Sequence, residues 1–157
     1  MFNIALVAFQ FLHILLGSIF IGSLIYLRFV LWPGLLTRSS EEARTFYETI
    51  LKKTNVLLAA SGGLNFILGV IRGTLLGQLR SAEAWGTPYG ITFSIALLAT
   101  LVLLILSPRL GPALLKKVWS GTSFVPGAAK KVNGIFLFPL LLILVILACM
   151  VLMHFGF

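Results

Sequence analysis

Two histidines and a pair of methionines are the residues of this chain best suited to bind a metal or a cofactor. The histidines are His13 and His154. His154 follows Met150 by four residues and Met153 by one, so Met150, Met153 and His154 share one helical stripe. Thioether and imidazole ligands suit Cu(I), and His–His or His–Met pairs are axial ligands of haem iron. The sequence therefore predicts a site for a copper ion or haem b, with His13, Met150 and His154 as metal ligands.

Each of these side chains also has an ordinary structural explanation. A histidine inside a helix often serves only to hydrogen-bond a neighbouring helix, and methionines often only fill space. A protein with no cofactor therefore stays open as an interpretation. Covalent haem is excluded because the sequence has no C-x-x-C-H motif, and the single cysteine, Cys149, excludes a cysteine-based zinc site.

Four polar or small residues complete the candidate site. Gln10 lies one helical turn before His13 and could orient its ring, whereas Gly17 lies one turn after it and leaves room for a flat ligand. We predict that Arg72 and Arg80 bind carboxylates of a ligand such as haem. The alternative is that both arginines extend to the membrane surface as anchors.

Catalytic motifs are absent from the sequence. The four carboxylates, Glu41, Glu42, Glu48 and Glu83, all lie in connections between apolar stretches, so a proton relay through the membrane is not expected. The sequence also has no phosphate-binding loop, no nucleophile–base pair and no dinucleotide fingerprint. These features favour a protein that is not an enzyme.

The elements that must position these residues follow from the composition. Of the 157 residues, 59% are hydrophobic and 10% are charged, against about 25% charged in soluble domains. This excludes both a soluble monomer and a disordered chain. Four stretches, 4–31, 56–76, 89–106 and 135–157, reach the roughly 20 apolar residues that span a bilayer. We predict an all-α integral membrane bundle of four transmembrane helices, forming a single domain over 1–157.

Glycine, proline and serine predict the helix boundaries. Pro33-Gly34 is expected to close the first helix, Ser39 to cap the second, and Ser107-Pro108 to end the third. The glycines at 69, 73 and 77 form a small-residue stripe that allows close helix approach. We expect this stripe to serve packing within the bundle, or alternatively a homodimer.

The basic residues predict the orientation in the membrane. The net charge is +8, with 12 Lys and Arg. All but Arg72 and Arg80 fall on the connections after the first and third spans, namely Arg28, Arg38, Arg44, Lys52, Lys53, Arg109, Lys116, Lys117, Lys130 and Lys131. In membrane proteins, loops rich in Lys and Arg usually lie on the cytoplasmic side. We therefore predict a bacterial or archaeal cytoplasmic membrane protein with both termini outside. The excess charge then faces anionic lipid rather than nucleic acid.

The depths of the histidines agree with this topology. His13 lies about nine residues into the first span, or roughly 13 Å at 1.5 Å per residue, and His154 lies roughly 5 Å from the end of the fourth. With an even number of spans, both histidines belong to the same, outer side of the membrane.

The stretch HILLGSIFIGSLIYLRFVLWPGLL at 13–36 resembles the first helix of the CopD-like membrane family, which typically has a His followed by an aromatic residue and a Gly. TPYG at 87–90 resembles the start of another CopD-like helix, and IYLR at 25–28 is similar to the related HemJ-type protoporphyrinogen oxidases. The sequence departs from the family in two places. Phe20 stands where the family usually has Trp, and the third span lacks the Lys that the family has there. The resemblance implies a small four-helix module that handles copper or haem, with His13 as the ligand position that it carries over.

Three functions are therefore predicted as alternatives. The first is a CopD-like protein that handles copper near the outer leaflet through His13 with Met150 and His154. The second is a b-haem redox subunit that uses the same residues as axial ligands. The third is an accessory subunit without catalytic function in a larger membrane complex of respiratory type.

Overall fold

Four long helices make up most of the structure, a computed structural model that describes residues 4–157. Helix α1 (Ile4–Tyr26) continues through a π-helical turn (Leu27–Leu31) into the short α2 (Trp32–Leu36). Helices α3 (Ser40–Gly73), α4 (Pro88–Val118) and α5 (Ala128–His154) follow, with a 3₁₀ turn at Glu83–Gly86. By length and composition, the rod Ile4–Leu36 and helices α3, α4 and α5 can each cross a membrane.

Side-chain caps fix the starts of two of these helices. The Ser39 hydroxyl accepts a hydrogen bond from the Glu42 amide at 3.4 Å, as the predicted N-cap requires. The Thr87 hydroxyl accepts one from the Gly90 amide at 3.2 Å, and Pro88 occupies the first turn of α4. Both caps satisfy amides that have no partner within the helix.

The predicted end of the first helix at Pro33 is wrong, because the helical rod continues to Leu36. A π-helical turn lies directly before Trp32 and Pro33. A proline removes one backbone donor and its ring crowds the carbonyl one turn earlier, here that of Phe29. The wider π turn accommodates this disturbance without ending the helix.

The predicted end of the third helix at Ser107-Pro108 is also wrong, because α4 runs on to Val118 with Pro108 and Pro112 inside it. Pro108 has no amide hydrogen to give to the carbonyl of Leu104. The Ser107 hydroxyl donates to that carbonyl at 3.2 Å. The side chain thus replaces the missing backbone hydrogen bond, which lets the helix pass through the proline.

The connection between α4 and α5 is shorter than predicted and holds a small hairpin. Strands β1 (Trp119–Ser120) and β2 (Ser123–Phe124) pair antiparallel, with Trp119 opposite Phe124. Gly121 and Gly127 adopt φ values of 62° and 71°, which favour glycine. Helix α5 then begins at Ala128, ahead of the predicted span at 135.

Apart from two-residue strands, the fold is the all-α bundle that the sequence predicts. Helix α4 packs on α5, α1 on α3 and α3 on α4. Their shared core includes four side chains that are almost fully buried, namely Phe20, Leu24, Leu103 and Phe136. Phe20 occupies the space above Gly62, where a Cβ atom would lie 2.8 Å from Cε2 of the ring.

One end of the bundle is closed by an aromatic cluster, formed by Trp32, Tyr47, Trp119 and Phe124. The Trp119 indole donates a hydrogen bond to the carbonyl of Ser40 at 3.1 Å, which fixes the hairpin to the start of α3. We call this the hairpin end. The opposite end carries the connection from Gly73 to Pro88, and α5 finishes there.

Candidate functional site

A cavity of about 380 Å³ lies between all four long helices, towards the end opposite the hairpin. Its wall is formed by one face of each helix. The polar, sulfur-containing or aromatic residues that line it are Gln10, His13, Ser18, Asn65, Phe66, Arg72, Tyr89, Phe93, Thr100, Met150, Met153 and His154. A cavity of this size is within the range of about 300–1,000 Å³ that small-molecule sites have.

His13 is held in one orientation by a neighbouring helix. Its Nδ1 atom lies 3.1 Å from the backbone carbonyl oxygen of Asn65 on α3. A carbonyl can only accept, so Nδ1 carries the proton and donates it in this bond. In the neutral ring, Nε2 is then unprotonated, and it has no hydrogen-bond partner among residues 4–157. This arrangement fits both a histidine that only joins two helices and one whose Nε2 binds a metal.

Two glycines leave space for the contact between His13 and Asn65. A Cβ atom at Gly69 would lie 3.0 Å from Cε1 of the His13 ring, and one at Gly17 would lie 3.1 Å from Oδ1 of Asn65. Ordinary contacts of this kind begin at 3.4 Å. Larger residues at either position would therefore push the imidazole or the amide out of place.

The glycine stripe serves packing within the bundle at two of its three positions, as the sequence predicts. Gly69 lies under the ring of His13, and Gly73 lies directly under the ring of Phe93. Gly77 lies beyond the end of α3, where a Cβ atom would collide with backbone oxygens of the turn. Gly69 and Gly73 thus make room for aromatic rings, because the neighbouring helices present His13 and Phe93 at these positions.

The last turns of α5 bring the remaining candidate ligands to the same cavity. Met150, Met153 and His154 all line it. Met153 is half-buried and His154 is exposed, with its ring 5.3 Å from that of Phe155. Cys149 is buried and is not part of the cavity lining. The structure therefore brings the side chains of His13, Met150 and His154 to the lining of one cavity, from helices α1 and α5.

The two arginines of the predicted site are separated. Arg72, in the last turn of α3, lines the cavity. Arg80 is exposed in the following connection and is not part of the lining. A carboxylate in the cavity would therefore have Arg72 as its cationic neighbour, and the structure does not place Arg80 in that site.

Two side-chain oxygens in this region have no partner within residues 4–157. Oε1 of Gln10 and Oδ1 of Asn65 are buried and accept no hydrogen bond there, although both residues line the cavity. From the sequence, Gln10 was the expected partner of His13, but the backbone of Asn65 takes that place. No residue pattern marks this partner, because every residue has a backbone carbonyl.

The side chains that could bind a metal limit which metal ions suit the cavity. No cluster of three or more His, Cys, Asp or Glu side chains occurs within residues 4–157. A metal ion in the cavity would therefore be bound by imidazole nitrogen together with thioether sulfur, a combination that suits Cu(I).

Comparison with models of known protein families, with curated proteins and with solved structures finds no match. The resemblance to the CopD-like family stays a prediction.

Proposed function

We propose that this chain is an integral membrane protein that binds Cu(I) in the cavity between its four long helices. The observation that carries the proposal is that the imidazole of His13 on α1 and the side chains of Met150, Met153 and His154 on α5 line one cavity. In this proposal His13, Met150 and His154 bind the ion, and Met153 offers a further thioether.

The outer surface of the bundle supports insertion in a membrane. Large apolar side chains point outward along the long helices. Examples, each at least 60% exposed, are Val56, Leu98, Leu137 and Leu144. A surface of this kind is unfavourable in water and suits lipid tails. The long helices satisfy their backbone hydrogen bonds internally, as a spanning segment must.

The distribution of charge supports one orientation. Nearly all basic residues belong to the hairpin end, whereas Arg72 and Arg80 belong to the cavity end. By the positive-inside rule the hairpin end faces the cytoplasm, and the cavity opens towards the outer side of a bacterial or archaeal cytoplasmic membrane. The termini then lie outside as well.

The chemistry of the cavity favours Cu(I) over other metal ions. Thioethers are soft, neutral ligands, and imidazole complements them, whereas hard divalent cations require the carboxylates that the lining does not provide. The hydrogen bond to the Asn65 carbonyl uses Nδ1 of His13, which leaves the lone pair of Nε2 for binding. The resemblance of 13–36 to the CopD-like family supports the same ion.

Copper binding is tested by titrating the purified protein in lipid nanodiscs with Cu(I) against a chromophoric chelator. We expect one ion per chain, lost in His13→Ala and weakened in Met150→Leu. Cys149→Ser is the matched control, because this soft sulfur ligand neighbours Met150 in sequence but lies outside the cavity lining. Equal copper binding by wild type and His13→Ala would rule out the site.

A b-type haem is the second candidate, and Arg72 is the observation that favours it. A guanidinium on the wall disfavours a bare cation but can pair with a carboxylate of haem. The cavity is also larger than a single ion requires. His13 and either His154 or Met150 would be the axial ligands. A Soret band in the protein purified from haem-supplied cells would support this candidate, and a colourless preparation that still binds copper would exclude it.

A further inference from the structure

Helices α4 and α5 carry positive side chains but no carboxylate side chain. From residue 88 to residue 157 the sequence contains no Asp or Glu. The acidic residues all come earlier, three of them in α3 and Glu83 in the connection at the opposite end. The Lys and Arg residues of this part all lie within 109–131, towards the hairpin end, and are Arg109, Lys116, Lys117, Lys130 and Lys131. No side chain of these two helices can therefore neutralise their positive charge.

The elements packed against α5 add no negative charge either. Helix α5 packs mainly on α4, and it also contacts α2 and the π-helical turn. Helix α2 has no charged residue, and the turn has the basic Arg28. Lys130 and Lys131 are exposed, and the ion pair found among residues 4–157 joins Arg44 to Glu48 within α3. The counter-charge of the two lysines therefore comes from outside the chain.

The outer face of α5 has the same order of groups as a phospholipid. Lys130, Gly134, Leu137 and Leu141 share one helical face by their spacing of three or four residues, and all four are exposed. A Cβ atom at Gly134 would have nothing within 4 Å, so the face is open between the lysine and the leucines. From Lys130 to Leu141 the helix rises about 16 Å, close to half of a hydrocarbon core of about 30 Å. The face thus matches one lipid in one leaflet.

We propose that the hairpin end binds an anionic phospholipid on the outer face of α5, with its phosphate at Lys130 and Lys131 and an acyl chain along the leucines of that face. Lys116 and Lys117, in the last turn of α4, add to the positive potential. A zwitterionic lipid is disfavoured, because the lysines repel its own cationic group. The positive-inside rule requires only an excess of charge on one side, whereas this proposal assigns a ligand to two particular lysines. It rests on the membrane insertion of the proposed function, but not on copper.

The test compares two lipids with identical acyl chains, dioleoyl phosphatidylglycerol and dioleoyl phosphatidylcholine. The protein is placed in nanodiscs that contain equal amounts of both, and the lipid that stays bound after release is identified by native mass spectrometry. We expect one phosphatidylglycerol per chain, preferred over phosphatidylcholine about 25-fold. This ratio follows from about fivefold for each of two lysines next to an anionic lipid.

Two double variants with the same change in net charge assign the effect to its position. Lys130→Gln with Lys131→Gln should bind the two lipids about equally. Lys52→Gln with Lys53→Gln is the matched control, because these lysines are also adjacent and exposed but lie on α3. The control should keep the preference of wild type. Both pairs are on the surface, so neither double variant removes a packing contact of the core.

The outcomes decide the proposal in either direction. A preference for phosphatidylglycerol that is lost in the α5 variant and kept in the α3 variant supports it. Equal retention of both lipids by wild type, or the same loss in both double variants, would overturn it. Displacement of the lipid by inorganic phosphate at constant ionic strength would also overturn it, since the site would then bind a small anion.

Failure of the lipid site can be distinguished from failure of the proposed function. Insertion is checked by flotation of the protein with vesicles, and copper binding by chelator titration of the same samples. Loss of lipid preference with insertion and copper binding intact rejects the lipid site alone. A protein that does not float with vesicles would overturn both the insertion and the lipid site.

Discussion

Gly69 offers the sharpest test of how His13 is positioned, because it lies directly under the imidazole. In Gly69→Ala the new Cβ atom would be placed 3.0 Å from Cε1 of His13, whereas ordinary contacts begin at 3.4 Å. The ring must therefore move away from α3 by a few tenths of an ångström. Such a shift lengthens the 3.1 Å bond between Nδ1 and the Asn65 carbonyl to roughly 3.5 Å, where little of a hydrogen bond remains.

The expected magnitudes follow from these distances. Replacing glycine by alanine inside a helix stabilises it by about 1 kcal/mol, whereas losing the imidazole–carbonyl bond costs about 0.5–1.5 kcal/mol. The free energy of unfolding of Gly69→Ala should thus stay close to that of wild type. Copper affinity should fall about 10- to 100-fold, as it does when a metal-binding histidine loses its orienting partner.

The matched control is Gly63→Ala on the same helix, where a Cβ atom has nothing within 4 Å. This variant should gain about 1 kcal/mol in the free energy of unfolding and bind copper as wild type does. Copper affinity is measured by chelator competition, and the ring itself by ¹⁵N NMR of labelled histidine, in which the Nδ1 signal of His13 should move only in Gly69→Ala. Equal copper affinity and equal Nδ1 signals in the two variants would refute the positioning of His13 by Asn65.

Three further predictions concern the bundle and its orientation. Ser107→Ala removes the donor that satisfies the Leu104 carbonyl, so the free energy of unfolding should fall by about 1–3 kcal/mol; an unchanged value would show that Pro108 needs no such partner. Gly62→Ala puts a Cβ atom 2.8 Å from Phe20 and should lower the melting temperature, and a rise like that expected of Gly63→Ala would contradict the packing. A membrane-impermeant maleimide should label Ser120→Cys in the hairpin only after the cell membrane is permeabilised, and labelling of intact cells would reverse the orientation.

The helices were largely predictable because their signals are local. Apolar length and the Ser39 cap are properties of neighbouring residues, and α3 begins where that cap predicts. The errors at Pro33 and Pro108 have a physical cause. A proline ends a helix unless something replaces the lost hydrogen bond, and the replacement by Ser107 or by a π turn depends on geometry that a residue pattern does not specify.

The candidate site was predictable only in part. His13, Arg72, Met150 and His154 were selected by residue type, and all four line the cavity, although their role as ligands stays a prediction. The partner of His13 was missed because it is a backbone carbonyl, which every residue has and no sequence pattern marks.

Other parts of the site depend on how the ends of helices are placed. Arg72 and Arg80 are equivalent candidates by type, but α3 ends at Gly73, so that only Arg72 faces the cavity. The packing role of Gly69 was predictable, but its contact with the His13 ring depends on how α1 and α3 are placed.

Copper K-edge X-ray absorption of the Cu(I)-loaded protein tests the central claim most directly. The proposal predicts a spectrum of Cu(I) with both nitrogen and sulfur neighbours, loss of the sulfur scattering in a Met150→Leu, Met153→Leu double variant, and no stoichiometric copper in His13→Ala. Sulfur scattering that persists in the double variant and disappears in Cys149→Ser would place the ion at the thiol. That result, or full copper loading of His13→Ala, would contradict a copper site in the cavity.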